Sequence, residues 1–179
     1  MGIAGMSTRV ILIVTGSDRP GLTKALADAV HGAGGNWLES HLSRLGGKYV
    51  GSVLVELDAA ALPSLEADVR KVDASGLRVS VVAADQETLS AGDTLTVELV
   101  GQDHPGIVRE VTAVLAALEV NIDSLTTSTE HGAWSGEPLF RAEARVTLPQ
   151  GVDRDKVQAA LEAISGEVMV DITVRRAAA

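Results

Sequence analysis

Gly16-Ser17-Asp18-Arg19-Pro20-Gly21-Leu22 returns eighty-odd residues later as Gly101-Gln102-Asp103-His104-Pro105-Gly106-Ile107. Each copy follows an apolar run that reads as a strand, Val10–Thr15 and then Thr94–Val100. Each opens a run of helical period. In the first, Leu22, Ala25, Leu26, Ala29, Val30 and Ala33 share a face; in the second, Ile107, Val111, Val114, Leu115 and Leu118 do. An Asn stands at the same distance downstream in both, Asn36 and Asn121. A strand that turns sharply into a helix leaves backbone N–H groups without helical partners, at the positive end of the helix dipole. Such a junction suits a small anionic group, for instance an amino-acid carboxylate. The same residues also serve a purely structural turn. Pro20 and Pro105 fit a first helical position, Asp18 and Asp103 fit caps, and Gly21 and Gly106 fit close packing or an unusual dihedral.

Outward from the motif, each half continues in the same order. Asn36–Leu45 reads as a strand, Gly46-Gly47 as a tight hairpin, and Tyr49, Gly51, Val53, Val55 and Leu57 as one face of a third strand. Leu62, Leu65, Val69 and Val72 mark a helix with Pro63 in its first turn, and Leu77–Ala83 alternates as a fourth strand. In the second half Asn121–Thr129 and Phe140–Leu148 are the middle strands. Pro149–Gly151 is a turn, and Val157, Ala160, Leu161 and Ile164 are a helix stripe ended by Gly166. Val168, Val170, Ile172 and Val174 form the last strand. Strand, helix, strand, strand, helix, strand is the order of a ferredoxin-like sandwich, so the fold class is α+β, two βαββαβ sandwiches in tandem. The expected domains are 8–84 and 93–175, joined by a polar linker at 85–92. The second hairpin is a longer loop, Glu130–Glu137, holding Trp134, which suits either an interface anchor or packing on its own domain.

Composition narrows the function. The chain has 179 residues, 46% of them hydrophobic, and a net charge of −9, which argues against direct nucleic-acid binding. There is no cysteine, so disulfides, thiolate metal sites and a cysteine nucleophile are excluded. No stretch reads as a signal peptide or a membrane span, and a cytoplasmic protein is expected, with Met1 or Met6 as its start. The four histidines, His31, His41, His104 and His131, show no metal spacing, so no metal and no cofactor is expected. Gly132-Ala-Trp-Ser135-Gly136 has its Ser one place too late for a nucleophile elbow, and no phosphate loop occurs.

The element order, the Asp-x-Pro-Gly turn and the following Asn resemble ACT domains. Two such domains in one chain resemble the tandem-ACT proteins related to the glycine cleavage system transcriptional repressor. The resemblance implies a non-catalytic regulatory protein that senses an amino acid, with a glycine-type ligand among the candidates. It also implies contact with a transcriptional activator protein rather than with DNA, and a homodimer. Carried over by position, the ligand-binding residues are Asp18, Arg19, Pro20, Gly21, Leu22 and Asn36, with Asp103, His104, Pro105, Gly106, Ile107 and Asn121 in the second half. Helix N–H groups would hold the carboxylate, and Asp or Asn oxygens the ammonium. The alternative is an interaction module that binds no small molecule and works through sheet edges and the Trp134 loop.

Overall fold

A computed structural model of the chain describes residues 5–74, 76–85, 92–131 and 136–177. The chain divides into two units, Met1–Glu87 and Thr88–Ala179. Most of the expected linker and Trp134 lie outside the described residues.

The first unit runs β1 (Ser7–Ser17), α1 (Leu22–Gly32), β2 (Asn36–Leu45), β3 (Lys48–Asp58), α2 (Leu62–Asp73) and β4 (Leu77–Ala83). The second runs β5 (Thr94–Gln102), α3 (Ile107–Ala117), β6 (Asn121–His131), β7 (Pro138–Thr147), α4 (Arg154–Val168) and β8 (Val170–Arg176). The sheet orders are β2-β3-β1-β4 and β6-β7-β5-β8, and each neighbouring pair is antiparallel. This is the expected ferredoxin-like arrangement, twice. Alternation puts Val10, Leu12 and Val14 of β1 on the same face as Val53, Val55 and Leu57 of β3. The stripes of α1 and α2 cover that face with Leu22, Leu26, Leu65 and Val69. In the second unit Val97, Ala144 and Val146 meet Ile107, Leu115, Val157 and Leu161 in the same way. Among the described residues, no buried side-chain polar atom lacks a hydrogen-bond partner, and no helix is long and apolar enough to cross a membrane.

Local chemistry explains most boundaries. The Gly46-Gly47 hairpin has φ of +56° and +77°, the sign a type I′ turn requires. Helix α1 ends in a Schellman motif, with Gly35 N–H bonded to Val30 O and Gly34 N–H to His31 O, both at 2.9 Å. Helix α3 ends in the same pattern, Val120 to Leu115 and Glu119 to Ala116, but with Glu119 at φ +56° where the first unit has Gly34. The edge strands β2 and β6 each carry a register shift two residues after their start, between Trp37 and Glu39 in β2 and between Ile122 and Ser124 in β6. Two expectations fail. Helix α4 runs through Gly166 and takes in Val168, ending at Met169 in the left-handed region with φ +51°. Pro20 and Pro105 precede their helices rather than opening them. The N-cap residues are Gly21 and Gly106.

Candidate functional site

The end of β1 is tied to the far end of its own unit. Gly16 lies so close to the Gly76 carbonyl that a Cβ would overlap it, and Gly101 stands in the same relation to Met169 and Val170. The first glycine of each motif is therefore fixed by packing. The second is fixed by dihedral: Gly21 and Gly106 have φ of +90° and +102°. A Cβ at Gly21 would meet nothing within 4 Å, and one at Gly106 only Glu110 Oε1 at 3.5 Å. These glycines turn the chain; they do not make room for a crowded neighbour.

Each helix then starts without a side-chain cap. Its first internal bond is Ala25 N–H to Gly21 O at 2.9 Å, or Glu110 N–H to Gly106 O at 3.0 Å. The three N–H groups before it, on Leu22, Thr23 and Lys24 or on Ile107, Val108 and Arg109, are left as open donors at the positive helix end. Thr23, Lys24, Val108 and Arg109 were absent from the sequence reading. Placing the helix start after the glycine instead of at the proline would have supplied them. The side chains of Leu22 and Ile107 are buried in the cores, so these two residues face a ligand with backbone alone.

The polar residues of the two turns are used differently. Asp18 pairs with Arg44 Nε at 3.2 Å, on the exposed surface of β2. Asp103 takes a backbone bond from its own N–H to Pro138 O at 3.0 Å. Neither carboxylate caps its helix. The Arg19 guanidinium lies directly over Gly76. His104, its counterpart, turns its ring to Val168, with Nε2 2.8 Å from the carbonyl oxygen, and sets Nδ1 3.1 Å from Pro105 O. His104 thus fastens its turn to the α4–β8 junction, while Arg19 lies against the corresponding α2–β4 junction. The His104 pKa is raised by those two backbone acceptors, Val168 first; desolvation opposes them, and Glu110 and Asp103 add smaller upward contributions.

The two asparagines lie elsewhere. Asn36 pairs across the sheet with Glu56, which pairs with Arg9, whereas the turn follows Ser17 at the other end of β1. Eight residues of strand separate them, about 27 Å at strand rise. Asn121 sits opposite Thr147 and Thr94, equally far from the turn after Gln102. Within one unit no amino acid touches both a turn and its asparagine. Asn121 Nδ2 donates to Asp123 Oδ1 at 2.7 Å, and the buried Thr147 hydroxyl donates to Asp123 Oδ2 at 2.6 Å. An open groove of about 700 Å³ runs beside this trio, lined by Asp93, Glu119, Asn121, Pro149 and Gly151.

Two βαββαβ sandwiches, each with a glycine-turned, uncapped helix start after its first strand, define a tandem of ACT-type domains. The chain belongs to the ACT-domain family: ACT-domain family models match residues 8–82 and 95–166. It is 30% identical over 170 residues to the phosphoserine phosphatase SerB2 of Mycobacterium tuberculosis, covering 92% of this chain and 40% of that protein. The chain thus spans well under half the length of that relative, and the phosphatase activity is that protein's. The crystal structure of an unknown protein from Galdieria sulphuraria matches with a TM-score of 0.84 at 29% identity, over 97% of this chain and 100% of that one. A crystallised protein named as a candidate glycine cleavage system transcriptional repressor shares the fold, with a TM-score of 0.69 at 15% identity over 96% of this chain and 99% of the other.

Proposed function

We propose that the chain is a non-catalytic regulatory protein that senses an amino acid at its ACT turns and transmits the bound state to a partner protein, acting on transcription or metabolism. A glycine-type ligand and an activator protein as partner are the favoured forms of this reading, in a cytoplasmic protein that pairs as a homodimer. The observation that carries it is the duplicated helix start: three open N–H donors at a positive helix end, in both domains, at the family's ligand positions. An amino acid has a carboxylate for those donors and an ammonium that needs an acceptor. Asp103 suits the ammonium better than Asp18, which is engaged with Arg44. Asn36 and Asn121 lie too far along the sheet to share that ligand with the turn of their own domain.

A thermal-shift screen of the purified chain against the twenty amino acids tests the reading. A ligand at a hundred times its Kd stabilises the folded state by about 2.7 kcal/mol. One amino acid raising the melting temperature, with the gain lost in Asp103→Ala, supports sensing. If none of the twenty shifts the transition, the protein is an interaction module instead.

A further inference from the structure

We propose that His104 is a proton-operated latch on the second ACT turn, so that this turn responds to pH while the first does not. The geometry carries the inference. Both ring nitrogens of His104 face carbonyl oxygens, Nε2 facing Val168 O at 2.8 Å and Nδ1 facing Pro105 O at 3.1 Å. A neutral imidazole has one N–H and one bare lone pair, so it satisfies one carbonyl and turns a lone pair on the other. The imidazolium donates to both. Protonation therefore closes a bridge from the turn to the α4–β8 junction, and loss of the proton opens one side of it.

The surroundings favour the closed form. Two acidic side chains act on the ring through their charge, Asp103 of the turn itself and Glu110 of the first turn of α3. From the α4–β8 junction it meets the Val168 carbonyl, at the negative end of the helix dipole. The ring's pKa is accordingly raised, so the latch is closed below the ordinary imidazole range and opens as pH rises through the raised value. In the first domain the corresponding side chain is Arg19, lying over Gly76 at the α2–β4 junction. A guanidinium stays charged at every physiological pH, so that contact does not titrate. If the turns hold a carboxylate, as proposed above, protonation adds a positive charge to the second turn, whereas the first carries the charge of Arg19 at all physiological pH.

Heteronuclear NMR on the full chain between about pH 5.5 and 8.5 reads the latch without any ligand. Both His104 nitrogens should be protonated in the acid form, with a midpoint above the ordinary imidazole value. The amides of Ile107 and Met169, on the two sides of the bridge, should shift with that midpoint, while Leu22 and Gly76 should not. His104→Arg should abolish the shift of Ile107 and Met169 and hold them near their acid-form positions. The latch is overturned if the His104 midpoint does not lie above the ordinary imidazole value, or if the amide shifts persist in His104→Arg. Glycine calorimetry at the two pH extremes separates this from the ligand reading. Tighter binding at low pH, lost in His104→Arg, supports both. A titrating latch without glycine binding leaves the latch standing and counts against glycine as the ligand.

Discussion

At Gly21 and Gly106 the backbone, not a neighbour, demands glycine. An alanine there must adopt a left-handed conformation that costs about 1–2 kcal/mol. Gly21→Ala and Gly106→Ala should each lose that much stability in urea denaturation, although their new methyl groups meet almost no atoms. The sequence marks both positions as glycine sites, but close approach and positive φ leave the same residue behind, so the reason was not legible. The aspartates separate in another way. Asp18→Ala removes one exposed ion pair, worth at most about 1 kcal/mol. Asp103→Ala removes no cap and should change stability by less than about 0.5 kcal/mol. A larger fall in amino-acid affinity than in stability, measured by calorimetry and melting on the same variants, would assign the aspartate to the ligand. Equal falls would leave it structural. That the asparagines lie far from the turns was within reach of the sequence. A crossover through one helix makes β1 and β2 run the same way, so the end of one and the start of the next are at opposite ends of the sheet.

Helix ends are where the two domains depart from each other. The Schellman turn of α1 uses Gly34 at φ +70°, while α3 forces Glu119 into the same region. Glu119→Gly should relieve that strain. After the extra freedom glycine gives the unfolded chain, the net gain should be about 0.5–1 kcal/mol by denaturant titration. Gly166 is the reverse case, a glycine inside α4 with open space where its Cβ would point. Gly166→Ala should stabilise the second domain by about 0.5–1 kcal/mol. Glycine usually stops a helix, which is why this one was misread as the end of α4. Val168 compounded the error, because it stands seven residues from Leu161, in the helical stripe, and two from Val170, in the strand alternation. Strands β3, β4, β7 and β8 were legible because a period of two over seven or more residues has no helical counterpart, and β1 and β5 because they are short apolar runs ahead of the turn.

Each domain has its own aliphatic core, built around Leu12, Leu26 and Leu65 in the first and Val97, Leu115 and Leu161 in the second. Leu12→Ala and Leu161→Ala should each cost about 2–5 kcal/mol. Hydrogen exchange should then show lost amide protection in the domain carrying the substitution, with the other domain holding its own; a uniform loss through both would mean one shared folding unit. The twofold architecture was legible, since each half repeats the same order of four strands and two helices. The outer strands hold one further consequence. β2 and β6 are ten and eleven residues long, lie at sheet edges and are mostly exposed, which is the shape that recruits strands from other molecules into fibrils. Their register shifts kink that edge near its start in both domains. Removing Asp123 would straighten β6 while leaving every later side chain on its present face. Such a chain should keep its fold and yet seed thioflavin-positive aggregates on storage where the parent stays clear, because the kink that spoils the template is gone.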